Sequence, residues 1–284
     1  MPTGRYRPSG EPARHERADQ VTTTTSAPLL AAEGITVRFG GLTALDDVGL
    51  AVAPGTVVGL IGPNGAGKTT LFNVVSGIVR PQRGAVSWKG RRLQRHRPHH
   101  LADLGIARTL QGLNLFPGLS ALDNVMVGAD RLARGGALAM LTGLGRYHSD
   151  ERRLRERAMA ALEEFGAADA ARAMPGTLPF GVQKRVALAR AVVAEPELLL
   201  LDEPASGLSG EDIAALGEAI RSFGARMGVL LVEHHMDLVM DVCDHIVVLN
   251  FGEVIATGTP AEIQADPVVA QAYLGAAEEE GEHG

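Results

Sequence analysis

Residues 62–70 read GPNGAGKTT and fit the pattern G-x-x-x-x-G-K-[ST], with Gly62, Gly67, Lys68 and Thr69 in the fixed positions. Gly62, Gly65 and Gly67 allow tight turns that aim backbone N–H groups inward, and Pro63, Asn64 and Ala66 complete the loop. Such a loop cradles phosphates. Lys68 would reach the terminal phosphates, the Thr69 hydroxyl would ligate Mg²⁺, and Thr70 would close the phosphate-holding stretch 62–70. A second constellation lies at 198–203, LLLLDE. Four leucines predict a buried strand, and Asp202 leaves at its C-terminal end, where open α/β sheets bind ligands. Asp202 is placed to hold Mg²⁺, and Glu203, one residue on, to polarise an attacking water.

These residues need particular elements to position them. The apolar β-branched run 56–61 predicts a strand entering the loop. Leu71, Val74, Val75 and Ile78, at i, i+3, i+4 and i+7, predict an amphipathic helix leaving it. Early antiparallel strands are expected at 35–39 and 48–52, another at 84–90, and buried parallel strands at 198–201 and 229–232. Residues 120–175 read mostly helical. Their Arg/Glu wealth, as in DERRLRERAMAALEEFG, is read as a solvated face with i,i+4 pairs. The fold class is therefore α/β.

Bulk properties narrow the function. The net charge of −6 argues against wrapping nucleic acid. The one cysteine, Cys243, lies in an apolar stretch and reads as a small buried hydrophobe in a chain without internal disulfides. No apolar run approaches the ~20 residues that span a bilayer, and no secretory signal is evident. Residues 1–28 read as a disordered tail and 278–284 as an acidic solvated tail. His96, His99 and His100 read as exposed loop residues, Trp88 as packing, and the adjacent His234 and His235 show no metal-ligand spacing.

With both motifs in place, residues 29–276 resemble the ATP-binding subunit of ATP-binding-cassette (ABC) transporters. The resemblance implies an ATPase core with a mostly parallel sheet, an antiparallel β subdomain and an inserted α-helical subdomain at about 112–182, the cassette spanning 29–277. It implies that Phe39, in RFGG, stacks on adenine. It implies that Gln111, in GIARTLQ, touches Mg²⁺ and the attacking water beside the transporter-coupling surface. By the same resemblance, LPFGVQKR at 178–185 is the signature, SGLS at 206–209 the D-loop, and His234 the switch histidine at the γ-phosphate. RFGGLTAL, VEHHMDLVM and the ending GTPAEIQADPVVAQAYLG look most like the branched-chain and hydrophobic amino acid importer group, whose relatives also take urea or amides.

The signature departs from Leu-Ser-Gly-Gly-Gln: positions 178–182 hold Leu178, Pro179, Phe180, Gly181 and Val182. Pro179 offers neither hydroxyl nor N–H, and one lost charge-assisted bond costs ~1.5–3 kcal/mol. Proline suits a helix's first turn, and Gly181 keeps its amide for the nucleotide of the opposite subunit. Ser209 replaces the usual D-loop aspartate. The resemblance implies ATP and Mg²⁺ as cofactors. It also implies transmembrane permease subunits, a second cassette (a copy or a different chain), and indirectly a substrate-binding protein, with the chain peripheral on the cytoplasmic face. The competing readings are a soluble cassette ATPase not coupled to transport and a regulatory cassette with weakened hydrolysis. The intact Lys68, Asp202, Glu203 and His234 speak against the latter.

Overall fold

Three strands share a property that water forbids outside a sheet interior: every residue of β3 (Val57–Ile61), β7 (Leu198–Asp202) and β8 (Gly228–Val232) is buried. A computed structural model describes residues 27–109, 112–129 and 146–273. With β6 (Ile106–Arg108), β9 (His245–Asn250) and β10 (Glu253–Gly258), the three form a six-stranded sheet, ordered β10-β9-β3-β8-β7-β6. All its pairings are parallel except the β10 edge.

Successive strand residues point to opposite faces, and both faces are covered. Ile61, Leu199, Leu201, Val229 and Leu231 enter one core. That core is closed by α2 (Ala121–Gly128), α3 (Arg146–Glu164), α4 (Phe180–Val192), α5 (Gly210–Gly224) and α6 (Met236–Val242). Leu60, Leu198, Leu200, Leu230 and Val232 enter the other core, with α1 (Lys68–Val75) and a second sheet. The second sheet is antiparallel, ordered β2-β1-β4-β5, from β1 (Leu30–Phe39), β2 (Leu42–Val52), β4 (Arg83–Trp88) and β5 (Arg91–Arg92). A capping box at Thr259 and Glu262 starts α7 (Pro260–Ala265), and residues 267–273 are helical.

Trp88 packs in the second core and Cys243 in the first, where burial pushes the thiol up to about 12. Strands β1 and β2 run longer than their apolar runs suggest. The Leu30–Val52 ladder extends them across a bulge beside Gly34. The helix after the phosphate loop is shorter than expected. It ends at Val75, and Ile78 is 51% exposed rather than on its apolar face. Ser76 Oγ bonds back to Phe72 O, and Gly77 takes φ +73°, where a Cβ would lie 2.7 Å from His96. His96 is correspondingly not a free loop histidine: its Nε2 lies 2.9 Å from Val75 O, while His99 and His100 are exposed. The stretch expected to be mostly helical holds α2, α3 and two single 3₁₀ turns after Gly166; residues 130–145 lie outside the described residues.

Among the described residues no helix is long and apolar enough to cross a membrane.

Candidate functional site

Parallel pairing aligns the C-terminal ends of neighbouring strands. Leu60 pairs with Val232, and Val232 with Asp202. The phosphate loop leaves β3 at this edge, and strand β8 separates it from Asp202 on β7.

The loop's shape depends on its glycines. Gly62 has φ +149°, and a Cβ there would lie 2.1 Å from Leu249 O. Gly67 caps α1 at φ +104°, and a Cβ would lie 2.8 Å from Ala44 O. Only glycine permits both approaches. No acidic side chain occupies the first turn of α1, so its opening amides and dipole remain directed at the loop. Lys68 is nearly buried and donates to Gly62 O and Pro63 O at 2.7 and 2.8 Å. Burial holds its pKa below the ordinary 10.5, and the Glu203 carboxylate opposes that shift. Thr69 is exposed.

Asp202 is 5% exposed. Burial pushes its carboxyl above the ordinary value; Arg108 opposes this and Glu203 adds to it. The nearest cation is the Arg108 guanidinium, at 3.8 Å. A buried carboxylate so weakly neutralised, with the Thr69 hydroxyl at the start of α1, is an oxygen-donor set suited to a hard divalent cation. Glu203 follows in a left-handed backbone, φ +46°, held by its amide on Val232 O at 2.8 Å. A non-glycine residue there stores local strain, and such strain gathers at functional sites.

His234 leaves the end of β8 with its side chain 53% exposed. Phe39, at the β1–β2 turn, is 53% exposed rather than packed in a core. That turn closes two residues before Ala44, the residue in contact with the Gly67 position. Gly181 lies elsewhere, lining a cavity between α4 and α5, where a Cβ would meet Asp212 Oδ2 at 2.7 Å. The phosphate loop contributes no residue to that cavity. Gln111 lies outside the described residues.

Sequence reasoning missed several residues here. Glu233, fully buried, accepts from Ala205 N through Oε1 (2.7 Å) and from His234 N and His235 N through Oε2 (2.8 and 3.1 Å). It ties the segment after Glu203 to the segment carrying His234. The strand-end rule that found Asp202 applies equally to Glu233, which follows the buried run GVLLV. Glu233, His234 and His235 also bring ligand atoms within 4.8 Å of one another. This corrects the expectation that the two histidines share no metal-ligand grouping; the amides already bound to Glu233 occupy much of its capacity. Lys184, on α4, donates to Pro204 O at 2.8 Å, with Glu233 and Glu203 opposing the fall in its pKa that burial causes. Arg108 lies 4.8 Å from the Phe72 ring. The Tyr273 hydroxyl is buried against the Gly62 backbone without a well-formed hydrogen bond.

A strand-bound phosphate loop, a strand-end acid at the same sheet edge and a helical layer over that sheet define a nucleotide-hydrolysing cassette. The chain belongs to the ABC transporter family, which matches residues 45–206. Residues 253–279 match the family described as branched-chain amino acid ATP-binding cassette transporter; Tyr273 falls within them. The chain is 42% identical to the high-affinity branched-chain amino acid transport ATP-binding protein BraF of Pseudomonas aeruginosa, over 89% of this chain and 100% of the relative. It is 37% identical to LivG of Escherichia coli, similarly described, over 89% and 100%. An ATP-binding cassette of an ABC transporter, solved in its ADP conformation, superposes with TM-score 0.75 at 28% identity, over 88% of this chain and 100% of that chain. A nucleotide-free cassette gives TM-score 0.75 at 27% identity, over 87% and 99%.

Proposed function

We infer that the chain is the ATP-binding and hydrolysing subunit of an ABC importer for branched-chain amino acids. The carrying observation is the shared sheet edge, where the phosphate loop leaves β3 and Asp202 and Glu203 leave β7, with β8 between them. The solute class follows from the relatives, whose names state branched-chain amino acid transport, and from the C-terminal match.

Residues 62–70 would hold the phosphates, with backbone N–H groups and Lys68 facing the negative charge. Phe39 would stack on the adenine. Thr69, Asp202 and Gln111 would hold Mg²⁺, which when bound offsets charge on the terminal phosphates. Glu203 would take the proton of the attacking water at its carboxylate. His234 would hold the γ-phosphate in line. Lys184 and Glu233 keep the Glu203 segment fixed against α4 and the His234 segment, so little reorganisation accompanies the step.

In this reading Gly181 serves a nucleotide held by a second cassette; the cavity it lines takes no residue from the chain's own loop. The partners are permease subunits, that second cassette and, through the permease, a substrate-binding protein. The chain is peripheral on the cytoplasmic side.

The test is ATP turnover by the purified chain alongside uptake of labelled leucine by cells carrying it. Glu203→Gln should bind ATP normally yet lose about 10²–10⁴-fold in turnover, and uptake should fall with it. Full turnover in the variant would remove Glu203 from its role. Normal uptake beside abolished turnover would uncouple the chain from transport.

A further inference from the structure

Residues 79–102 hold six arginines and Lys89 but no Asp or Glu, in a chain of net charge −6. All seven cations are exposed. Among the described residues none of the six arginines forms an ion pair; Lys89 alone does, with Glu197. Four of them, Arg80, Arg92, Arg95 and Arg97, line one cleft of about 800 Å³ between the end of α1 and the β4–β5 hairpin. No acidic residue lines it.

The cleft has a fixed frame. His96 is held on Val75 O, at the end of α1. The Gln82 side-chain amide accepts from Arg38 N and donates to Arg38 O on β1, both at 3.0 Å. Arg92 donates to Gly84 O at 3.2 Å. Arg95 is held at φ +137°, a conformation L-residues rarely take. Four guanidiniums around one open space repel one another unless an anion lies between them. Their planar forks match the oxygens of phosphates bidentately, as they do those of carboxylates, and phosphate groups in an array supply the charge density to offset four cations.

We propose that this cleft binds the phosphate groups of anionic phospholipids, giving the cassette a foothold on the membrane surface separate from its permease contacts. The cleft is open rather than enclosed, Arg83 and Arg91 add exposed charge on the adjoining strands, and such a surface suits an array of headgroups more than one small ion. The chain then runs from Arg97 through exposed His99 and His100 into β6 and on toward Gln111, the segment read as facing the permease. The choice of lipid over a soluble anion rests on the membrane seat proposed above; the positive cleft does not.

The experiment is co-sedimentation of the whole chain with vesicles of phosphatidylcholine, with and without phosphatidylglycerol, across a salt series. The wild type should bind only the anionic vesicles, more weakly as salt rises. The triple variant Arg80→Gln/Arg95→Gln/Arg97→Gln should bind at least about tenfold more weakly. Its melting temperature and ATP turnover in solution should match the wild type, which tests the nucleotide reading separately. If the triple variant does not fold, single Arg80→Gln and Arg97→Gln variants should each show part of the loss. Equal binding by variant and wild type, or no preference for phosphatidylglycerol, would overturn the proposal. So would tripolyphosphate held by the cleft without any vesicle binding, or membrane association seen only when permease is present.

Discussion

Glu233 carries a burden that its charge alone does not reveal. Three backbone amides from two separate segments converge on one buried carboxylate. Removing it leaves those donors unpaired, and each buried unsatisfied group costs roughly 1–3 kcal/mol. Glu233→Ala should therefore lower stability to urea by about 3 kcal/mol. Glu233→Gln keeps one accepting oxygen but turns an NH₂ toward the amides, and should lose about 2 kcal/mol. Both should slow ATP turnover more than they weaken ATP binding, because the residue positions the Glu203 and His234 segments rather than the phosphates. A Glu233→Ala chain as stable and active as the wild type would show that the amides find other partners. Arg108 and Asp202 form a looser pair: at 3.8 Å the guanidinium only partly offsets the carboxylate's desolvation.

At the scale of elements, the edge of the parallel sheet has its own titration. His245 begins β9 and places Nε2 2.7 Å from Thr257 Oγ1 on β10. Burial lowers its pKa from the ordinary 6.5, and Glu262 pulls the other way. The folded chain therefore takes up this proton at lower pH than the unfolded chain. The histidine's contribution is fully present above pH 6.5 and is lost as pH falls below it. Urea midpoints on either side of that pH should show it, and His245→Gln should flatten that part of the acid limb. An unchanged slope would mean that other groups carry the acid sensitivity. Helix α5 has a simpler dependence. Ser209 Oγ caps it through Asp212 N, a role for which the serine at this D-loop position is well suited.

At the scale of the whole molecule, the proposed role of Gly181 toward a second cassette turns on how α4 begins. Pro179 is the N-cap of α4, at φ −56°, so the helix forms without the hydroxyl and amide that a serine would supply. Light scattering of Glu203→Gln should show a doubled mass only with Mg-ATP if the Pro179 signature closes a symmetric pair. A monomer that still binds ATP would assign the second site to a different cassette or to a permease-bound assembly. The buried Tyr273 hydroxyl lies against the Gly62 backbone, which brings the C-terminal segment to the loop from 211 residues further along the chain.

By itself the sequence determined what depends on short, local patterns. All-apolar runs such as LLLLD and GVLLV can be satisfied only inside a sheet, and the glycine spacing of 62–67 admits few backbones besides an anion-binding loop. Strand order was another matter. Nothing in residues 228–233 says that β8 lies between β3 and β7, and only that order sets Glu233 between the loop and Asp202. The helix after the loop stops at Val75 through Ser76 and the left-handed Gly77, and only the folded chain shows that His96, eighteen residues beyond Ile78, packs against that stop. The four arginines of the cleft are spread over eighteen residues and become one feature only when the hairpin folds against α1. Local propensity is written along the chain, whereas burial, charge pairing and shared cavities depend on which distant segments pack together; those the tertiary structure alone decided.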